Sequence, residues 1–251
     1  MRTIVITGAS GGIAQSLIDQ LPEEDRLILF GRDKERLEKR YADRPNKRCL
    51  SYDVMDDDGL EHVIQQMITE EKVDILINNA GYGIFENYDH FTAQDVKNMF
   101  QVNTFTSMTF ARCFAQEFSR RRQGQIIGVV SMAGLFATQK ASVYAATKFA
   151  LTGFYDALRL EVADQGVVVT TINPGPVETA FFDQADPSGN YLTSVSRFTL
   201  SPDKVAKKII QTFGKATRHV NIPFILAIVY QLHVLFPRTS DFLARKVFNY
   251  K

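Results

Sequence analysis

Five short, β-branched segments of this chain are apolar at nearly every position, and segments of helical period separate them. A strand with one solvated face alternates apolar and polar residues, whereas a strand that is covered on both faces is apolar throughout. The pattern therefore predicts a parallel β-sheet with helices on both faces. The predicted strands are Thr3–Thr7, Arg26–Phe30, Asp74–Asn78, Gln125–Ser131 and Val167–Ile172.

Segments of helical period alternate with these strands up to residue 172. Parallel strands joined by helices form right-handed crossovers, and their repetition predicts an α/β fold with one open, doubly wound sheet of the Rossmann type. No linker or internal repeat divides the chain, so we expect a single domain over 1–251, in which about 180–251 form a substrate loop and C-terminal lid or interface helices. The predicted helices are Gly12–Leu21, Asp33–Tyr41, Asp57–Glu70, Thr92–Arg121, Ser142–Gln165 and a short helix that begins at Ser201-Pro202-Asp203.

The composition is that of a globular protein and excludes several classes of function. Hydrophobic residues make up 45% and charged residues 23% of the chain, which excludes a disordered, collagen-like or coiled-coil protein. Lys plus Arg number 29 and Asp plus Glu number 28, so the net charge is +1. A charge this close to zero does not indicate a nucleic-acid-binding protein. Cys49 and Cys113 are too far apart for a disulfide scaffold and favour a reducing compartment. Without a metal-ligand pattern or a signal segment, we expect a cytoplasmic protein that holds no metal.

The segment Ile222–Phe236 is almost entirely apolar. Between Pro223 and Pro237 lie 13 residues, which span about 20 Å as a helix, whereas the core of a bilayer is about 30 Å thick. We therefore expect a buried or pocket-covering helix rather than a membrane span. Peripheral attachment to a membrane by this helix and a basic tail is the alternative. The basic residues of that tail are Arg238, Arg245, Lys246 and Lys251.

A glycine-rich turn, Thr7-Gly8-Ala9-Ser10-Gly11-Gly12-Ile13-Ala14, joins the first predicted strand to the first predicted helix. At such a turn, backbone N–H groups and the positive end of the helix face an anion, commonly a pyrophosphate. Gly8 permits the tight turn, and Gly12 lets the backbone approach the phosphate closely. A turn of this kind also occurs without a ligand, so the prediction of a nucleotide site needs further motifs.

Three further motifs lie at the ends of predicted strands: Asp53-Val54, Asn78-Asn79-Ala80-Gly81 and Pro174-Gly175-Pro176-Val177-Glu178-Thr179. In type and order they resemble the D-V pair at the end of the third strand, the N-N-A-G motif and the P-G segment of the short-chain dehydrogenase/reductase family. The glycine-rich turn resembles that family's T-G-x-x-x-G-x-G, with Ala14 in place of the last glycine. That position serves the packing of helix against strand, so we expect the site to be retained.

The resemblance implies a nicotinamide dinucleotide cofactor. In the family, the acid of the D-V pair accepts a hydrogen bond from the adenine amino group, the N-N-A-G backbone lines the cofactor, and the P-G segment closes over the nicotinamide amide. The residues implied to bind the cofactor are Gly8, Ser10, Gly12, Ile13, Arg32, Asp53, Val54, Asn79, Ala80, Gly81, Tyr144, Lys148, Pro174, Val177 and Thr179.

Tyr144 and Lys148 are four residues apart and therefore share one face of the predicted helix Ser142–Gln165. Ser131 closes a predicted strand, near enough along the chain for a loop to bring its hydroxyl to that face. A free phenol has a pKa of about 10 and is a poor proton shuttle at neutral pH, and a neighbouring ammonium is expected to lower that pKa. Each residue alone has an ordinary structural explanation; together with the nucleotide motifs they predict a catalytic site.

The family resemblance implies a role for each of these residues. Tyr144 would be the general acid/base, Lys148 would lower its pKa and hold the nicotinamide ribose, and Ser131 would orient the substrate carbonyl. Asn103, in Gln101-Val102-Asn103-Thr104, matches the family's fourth catalytic residue, which holds a water molecule of the proton relay. The expected reaction is hydride transfer between the nicotinamide and a carbonyl or secondary alcohol carbon, with no metal.

The end of the second predicted strand bears on the choice between NADP(H) and NAD(H). An acid there would bind the 2′-hydroxyl of NAD and repel a phosphate, but this chain has Gly31 followed by Arg32. Family members with that arrangement tend to prefer NADP(H), because the guanidinium pairs with the 2′-phosphate. We therefore expect NADP(H) in preference to NAD(H), with Asp33 explained as the N-cap of the next helix.

The segment Ala180–Leu200, which corresponds to the family's specificity loop, is rich in aromatic residues and poor in charges. It favours an apolar carbonyl or alcohol substrate, with ordinary core packing as the alternative explanation of its aromatic residues. Those residues are Phe181, Phe182, Tyr191 and Phe198. Two other functions stay open: a membrane-peripheral reductase of a lipid or steroid, anchored by the C-terminal segment, and a non-catalytic nucleotide-sensing protein of the same fold.

The family often pairs its two long helices across a dimer interface, so the resemblance implies a homodimer or homotetramer. Four phenylalanines on the predicted helix Thr92–Arg121 suit such an interface, and they suit the core of the subunit equally well. They are Phe105, Phe110, Phe114 and Phe118.

Overall fold

A computed structural model describes residues 1–239 and Phe242, and it contains a seven-stranded, fully parallel β-sheet. The strands are β1 (Thr3–Thr7), β2 (Arg26–Gly31), β3 (Lys47–Ser51), β4 (Ile75–Asn78), β5 (Gly124–Val129), β6 (Val167–Pro174) and β7 (His219–Ile222). Their order in the sheet is β3-β2-β1-β4-β5-β6-β7. This architecture confirms the predicted doubly wound α/β fold of the Rossmann type.

Ten α-helices are present in the described part of the chain. They are α1 (Gly12–Gln20), α2 (Lys34–Arg40), α3 (Asp57–Glu70), α4 (Ala93–Phe100), α5 (Thr106–Arg121), α6 (Ser142–Glu161), α7 (Phe181–Ala185), α8 (Asn190–Ser194), α9 (Pro202–Ile210) and α10 (Phe224–Leu235). Side chains cap two of them as the sequence predicts. Asp33 accepts a hydrogen bond from the backbone N–H of Arg36 at 2.9 Å, and Ser201 accepts one from that of Lys204 at 3.3 Å.

The strands are apolar at consecutive positions because the sheet is covered on both faces. In β1, Ile4 and Ile6 pack in the layer that contains α1 and α9, whereas Val5 packs in the opposite layer with α3, α5 and α6. All three side chains are fully buried. The sheet thus separates two apolar layers, as the uninterrupted apolar runs predict.

A π-helical turn at Gln101–Phe105 interrupts the predicted helix Thr92–Arg121 and separates α4 from α5. The hydroxyl of Thr106 donates a hydrogen bond to the carbonyl oxygen of Gln101 across this turn, at 2.9 Å. Such turns are rare within helices and are often found at functional sites. This one carries Asn103.

The third strand ends at Ser51, two residues earlier than the resemblance implies, so Asp53-Val54 lies in the loop that follows it. One carboxylate oxygen of Asp53 accepts a hydrogen bond from the backbone N–H of Met55 at 2.9 Å, which turns the chain toward α3. A seventh strand, β7, was not predicted. Its four residues include His219 and Asn221, so it lacks the apolar pattern that marks the other strands.

Of the two forms predicted for the segment Ile222–Phe236, a buried helix or a pocket-covering helix, the first is wrong, because most of the helix is exposed. α10 follows the edge strand β7, and Leu226 is the buried residue of this helix, whereas 76% of Phe224 and 67% of Leu235 are exposed. No helix in the described part of the chain has the length and hydropathy needed to cross a bilayer. Arg245, Lys246 and Lys251 of the predicted basic tail lie outside the described residues.

The strand order reverses between β1 and β4, which run parallel to each other at the centre of the sheet. In an open α/β sheet, the crevice outside the carboxyl ends of two such strands is the usual ligand site. β1 ends at Thr7 and β4 ends at Asn78, so the glycine-rich turn and the Asn79-Ala80-Gly81 segment meet at this crevice.

Candidate active site

The glycine-rich turn and the Asn79-Ala80-Gly81 segment form one hydrogen-bonded unit. The hydroxyl of Thr7 accepts hydrogen bonds from the backbone N–H groups of Asn79 and Ala80, at 3.0 and 3.1 Å. Gly8 has a φ of +62°, and a Cβ at this position would lie 2.7 Å from the Cα of Ala80. Only glycine fits this contact, because a side chain would be strained in its backbone and would collide with a neighbouring main chain.

The N-terminus of α1 has no side chain that caps it. Gly11 is the N-cap residue and has none to offer, so the first N–H groups of the helix are not satisfied by a cap. A Cβ on Gly12 would lie 2.6 Å from Cγ2 of Thr179, so a larger residue would close the space between this turn and the loop after β6. Free N–H groups at the positive end of a helix, with room before them, fit the pyrophosphate of a dinucleotide.

Basic side chains surround the glycine-rich turn at the end of β2. Arg32 is exposed and follows Gly31, the last residue of the strand, whereas Asp33 is engaged as the N-cap of α2. Arg40, which the sequence did not single out, donates a hydrogen bond from Nη1 to the carbonyl oxygen of Ser10 at 2.7 Å. Arg32 thus stands where the sequence predicts a partner for a 2′-phosphate, and Arg40 fixes the backbone of the turn beside it.

Asp53 and Val54 lie near the same edge, in the loop after β3. Asp53 is exposed, and the carbonyl oxygen of Val54 accepts a hydrogen bond from Nε2 of Gln101 at 2.7 Å. The side chain of Asp53 is therefore open to a donor from a ligand, and its contact with adenine stays a prediction.

Ser131, Tyr144 and Lys148 come together as the sequence predicts. Ser131 follows β5 at the start of a single 3₁₀ turn, Met132–Gly134, where its hydroxyl oxygen accepts a hydrogen bond from the N–H of Ala133 at 3.0 Å. Tyr144 and Lys148 lie on one face of α6 and are both buried. The hydroxyl of Ser131 is near enough to that of Tyr144 to lower the pKa of the phenol, and Nζ of Lys148 lies over the ring, 5.7 Å from the centroid.

In the protein alone, burial dominates the pKa values of Tyr144 and Lys148, and the lowering of the Tyr144 pKa by Lys148 stays a prediction. Burial raises the pKa of Tyr144 to about 12, and the nearby hydroxyl of Ser131 offsets only part of this rise. Burial also lowers the pKa of Lys148 to about 8. Loss of hydration therefore outweighs the attraction between the two groups.

The ammonium group of Lys148 is 4% exposed and forms no ion pair with any described residue. A Cβ on Gly81 would lie 3.3 Å from Nζ of Lys148, so a side chain at position 81 would crowd the ammonium group. A buried cation without a partner is costly unless a ligand provides hydrogen-bond acceptors. The hydroxyls of a ribose would provide them, which fits the role that the resemblance implies.

Asn103 is fully buried in the π-helical turn, and protein groups engage its amide. Nδ2 donates hydrogen bonds to the carbonyl oxygen of Tyr82 at 2.9 Å and to the hydroxyl of Thr147 at 3.1 Å, and Oδ1 accepts one from the N–H of Tyr82 at 2.9 Å. The side chain therefore ties the loop after β4 to α6, next to Lys148. The role of Asn103 in holding a water molecule stays a prediction.

A cleft that is open to solvent lies in front of Ser131, Tyr144 and Lys148. Nine of the predicted site residues line it: Ile13, Asn79, Gly81, Ser131, Tyr144, Lys148, Pro174, Val177 and Thr179. The other predicted residues lie outside its lining: Gly8, Ser10, Gly12, Arg32, Asp53, Val54, Ala80 and Asn103. The cleft therefore brings the predicted catalytic residues together with both the first βα turn and the loop after β6.

Aromatic rings form one wall of the cleft. Phe85 packs against the rings of Tyr144 and Tyr191 with centroids 5.5 and 4.6 Å apart, and Phe181 packs against Tyr144 at 5.7 Å. Phe182 completes this wall from α7. Of the predicted loop residues, Phe181, Phe182, Tyr191 and Phe198 all line the cleft, so its surface near Tyr144 is apolar.

Several cleft residues of the loop after β5 were not singled out from the sequence, among them Met132, Phe136 and Thr138. The hydroxyl oxygen of Thr138 is buried and has no hydrogen-bond partner in the described part of the chain. These residues lie in no motif, and only the packing of the loop against the cleft reveals them. Leu226 also lines the cleft, and it belongs to the segment Ile222–Phe236 that the sequence predicts to be buried or to cover a pocket.

The described residues contain no group of three His, Cys, Asp or Glu side chains that is arranged to hold a metal ion.

Comparison with known proteins links the chain to one family. The family model described as short chain dehydrogenase matches residues 2–189. The chain is 30% identical to retinol dehydrogenase 8 from Homo sapiens over 189 residues, which cover 72% of this chain but only 60% of that protein. It is 26% identical to 3-ketodihydrosphingosine reductase from Bacteroides thetaiotaomicron, over 99% of this chain and 96% of that protein.

Solved structures share the fold. A short-chain dehydrogenase from Sphingobium yanoikuyae in complex with NADPH superimposes with a TM-score of 0.82. The superposition covers 97% of this chain and 96% of that chain, at 23% sequence identity. At this identity the likeness concerns the arrangement of the sheet and helices.

Proposed function

Because this chain belongs to the short-chain dehydrogenase family, we propose that it is an NADP(H)-dependent oxidoreductase that reduces an apolar aldehyde or ketone, or oxidises the corresponding alcohol. The observation that carries the proposal is the grouping of Ser131, Tyr144 and Lys148 in one cleft with Ile13, a residue of the glycine-rich turn in the first turn of α1. A fold of this family without catalysis would not need a buried, unpaired cation beside a buried phenol.

The bound nicotinamide would supply or accept the hydride, and the residues of the chain would handle the proton. In the reducing direction, the hydroxyl of Tyr144 gives its proton to the carbonyl oxygen of the substrate. Burial raises the pKa of Tyr144 to about 12 in the protein alone, so the phenol is protonated at neutral pH, and the charge that develops on the substrate oxygen would have to draw the proton from it. Ser131 donates a hydrogen bond to the same oxygen, a contact that strengthens as negative charge develops there.

Lys148 would bind the ribose of the cofactor and pass a proton to Tyr144 after each turnover. Its lowered pKa of about 8 is close to neutral pH, so its ammonium can lose and regain a proton under ordinary conditions. The dinucleotide would lie along the crevice, with its pyrophosphate at Gly8, Ser10, Gly12 and Ile13 and its nicotinamide near Pro174, Val177 and Thr179.

We expect NADP(H) to bind more tightly than NAD(H) because Arg32 is exposed at the end of β2 while the neighbouring acid, Asp33, is engaged as a helix cap. A solved relative of the same fold is a complex with NADPH, which supports this choice. The substitution Arg32→Asp should raise the dissociation constant of NADPH by about 10- to 100-fold, since a hydrogen bond to a charged group is worth about 1.5–3 kcal/mol. The constant for NADH should change little, and fluorescence titration of both nucleotides measures the effect.

The matched control is Arg36→Asp, which makes the same charge change on the exposed side of α2. If both variants raise the dissociation constant of NADPH to the same extent, the effect comes from the overall positive charge near α2, and the specific role proposed for Arg32 is wrong. An unchanged preference in Arg32→Asp alone would contradict the proposed cofactor.

The aromatic wall around Phe85 and Phe181 supports a substrate whose reactive carbon carries a large apolar group. Two relatives are named for such substrates, a retinol dehydrogenase and a 3-ketodihydrosphingosine reductase. The unpaired hydroxyl of Thr138 would form a hydrogen bond with a second polar group of the substrate, because a buried hydroxyl without a partner is unfavourable.

A panel of carbonyl compounds, followed by the loss of NADPH absorbance, tests this function. We expect kcat/KM to rise about threefold to fourfold for each methylene added to an aliphatic aldehyde, since burial of one methylene contributes about 0.8 kcal/mol. Ketosteroids and quinones test bulkier apolar groups, and 2-keto acids of equal length serve as charged controls. Binding of NADPH without turnover of any compound would favour the nucleotide-sensing alternative, and a preference for the keto acids would contradict the apolar cleft.

The proposed assembly is a homodimer or homotetramer. Phe110, Phe114 and Phe118 are fully buried and belong to the core of the subunit, so they cannot serve the interface. Phe105 and Phe149 are 48% and 45% exposed, and they are the aromatic groups that α6 and the turn before α5 offer to a second subunit. Cytoplasmic localisation also stays a prediction.

A further inference from the structure

One side of α10 is exposed and apolar along its whole length. Residues three, four, seven and eight positions apart share a side of a helix, and all the exposed apolar residues of α10 except Val234 follow this spacing. We call this surface the α10 face; it consists of Phe224, Ile225, Ile228, Val229, Leu232 and Leu235. Their exposed fractions range from 37% for Val229 to 76% for Phe224. A contiguous apolar surface of this kind on a folded protein marks a binding surface.

α10 begins at the mouth of the active-site cleft. Leu226, on the opposite side of the helix from the α10 face, is buried and lines the cleft. A Cβ on Gly175 would lie 2.9 Å from Cδ1 of Leu226 and 3.3 Å from the ring of Pro223, so the start of the helix packs directly on the loop after β6. Anything bound to the α10 face therefore lies next to the entrance used by the substrate.

The charge of the chain is unevenly distributed along the sequence, and the positive part contains α10. Residues 201–251 contain 9 Lys or Arg and 2 Asp, whereas residues 1–200 contain 20 Lys or Arg and 26 Asp or Glu. Lys215 and Arg218 precede the helix, Arg238 follows it, and all three are exposed. An apolar helix face with basic residues on both sides along the chain is complementary to an anionic lipid surface.

We propose that the α10 face docks on the surface of an anionic phospholipid bilayer and that the cleft receives its substrate from that bilayer. The helix has 12 residues, which span about 18 Å, so it is too short to cross the apolar core of about 30 Å and lies in the interface instead. The delivery of substrate rests on the function proposed above, but the docking does not, because the α10 face and its charges exist whatever the cleft binds.

A second copy of the chain is the competing occupant of this surface. Pairing two α10 faces would bring together the exposed basic residues that flank each helix along the chain, Lys215, Arg218 and Arg238, and like charges at an interface oppose association. The same charges attract anionic lipid. The charge distribution therefore favours the bilayer.

Flotation with phospholipid vesicles tests the docking with the full chain. We expect the protein to bind vesicles of phosphatidylcholine with phosphatidylglycerol at least about tenfold more strongly than vesicles of phosphatidylcholine alone, because each Lys or Arg near an anionic surface adds to the attraction. The triple variant Ile228→Gln, Leu232→Gln, Leu235→Gln should lose this binding by at least about tenfold, since it removes apolar area from the α10 face. These side chains are 42% to 67% exposed, so the fold should persist.

The matched control is the double variant Tyr88→Gln, Leu160→Gln, which removes exposed apolar side chains far from α10 in the sequence and should float as the unmodified protein does. NADPH titration shows that each variant is folded and keeps its nucleotide site. Failure of the unmodified protein to bind anionic vesicles would overturn the proposal, and so would unchanged binding of the triple variant. A change of oligomeric state in the triple variant, seen by light scattering without vesicles, would assign the α10 face to a second copy instead.

The same experiment separates docking from catalysis. Reduction of a short, water-soluble aldehyde by NADPH should be equal in the unmodified protein and the triple variant, because the substitutions lie outside the cleft lining. Loss of vesicle binding by the triple variant, with normal turnover, would confirm the role of the α10 face and leave the proposed function intact. Vesicle binding by the unmodified protein, without turnover of any carbonyl compound, would contradict the proposed enzyme activity but not the docking.

Discussion

The substitution Tyr144→Phe is expected to lower kcat for carbonyl reduction by about 10²- to 10⁴-fold, the contribution of a well-placed general acid. Phenylalanine keeps the ring that packs against Phe85 and Phe181, with centroids 5.5 and 5.7 Å from that of Tyr144, and removes only the hydroxyl that lies near Ser131. The dissociation constant of NADPH should therefore stay close to that of the unmodified protein. Steady-state kinetics and nucleotide titration on the same preparation measure the two quantities.

Tyr155→Phe is the matched control, since Tyr155 is a fully buried tyrosine of the same helix, outside the cleft. Its hydroxyl accepts a hydrogen bond from Nδ2 of Asn78 at 2.9 Å. Its loss should lower the free energy of unfolding by about 1 kcal/mol and leave kcat within a few-fold. Near-normal turnover in Tyr144→Phe, or an equal loss in both variants, would contradict the proposed role of Tyr144.

The sheet could be predicted because its strands carry their own signal. β1 and β6 are buried on both faces, and this requires apolar side chains at consecutive positions. β7 was missed because a strand at the edge of the sheet needs no such run, and its polar residues His219 and Asn221 pair with Thr171 and Asn173 of β6. The prediction missed β7 because its position at the edge is defined only once the sheet has assembled.

The candidate catalytic group could also be predicted, because an i, i+4 pair on a helix and a residue at a strand end have fixed positions once the fold is known. The rise of the Tyr144 pKa in the protein alone could not. It depends on how completely Phe85, Phe181 and the loop after β6 exclude water, and burial of this kind arises from residues far apart in the sequence. Arg40 was missed for the same reason, since β1 and β2 must pair before it can reach Ser10.

The exposure of α10 shows a limit of hydropathy as a guide to burial. The segment Ile222–Phe236 is apolar enough for the interior, yet most of its side chains face outward because α10 follows the last strand of the sheet. Apolar composition indicates that a segment favours a surface from which water is excluded. It does not indicate whether that surface belongs to the same subunit or to a binding partner.

The substitution Lys148→Met is expected to remove activity and to stabilise the protein at the same time. Burial lowers the pKa of Lys148 from 10.5 to about 8, so the folded protein holds the charged form at a cost of roughly 3 kcal/mol at pH 7. Methionine has similar length and no charge, so the variant should gain up to this amount in free energy of unfolding, or roughly 6–12 °C in Tm. Thermal unfolding without nucleotide measures the gain, and turnover should fall by orders of magnitude.

The pH dependence identifies the cause of that gain. A lysine whose pKa is lower in the folded state than in the unfolded state destabilises the fold fully below the folded pKa, and the penalty disappears as pH rises through the unfolded pKa. The difference in stability between Lys148→Met and the unmodified protein should therefore be largest below about pH 8 and vanish by about pH 10.5. Raised pKa values such as that of Tyr144 are common to both proteins and cancel in the difference.

Lys207→Met is the matched control, because Lys207 is exposed on α9 and its substitution should change the free energy of unfolding by less than about 0.5 kcal/mol at any pH. If Lys148→Met raises the free energy of unfolding by the same amount at pH 7 and pH 10, the gain comes from packing, and the proposed cost of a buried charge is contradicted. A loss of stability at pH 7 would show that Lys148 has a partner in the folded protein. The expected result, a more stable and inactive variant, follows only if the cation is held in the cleft at a cost to the fold, ready for a ligand that supplies its missing hydrogen bonds.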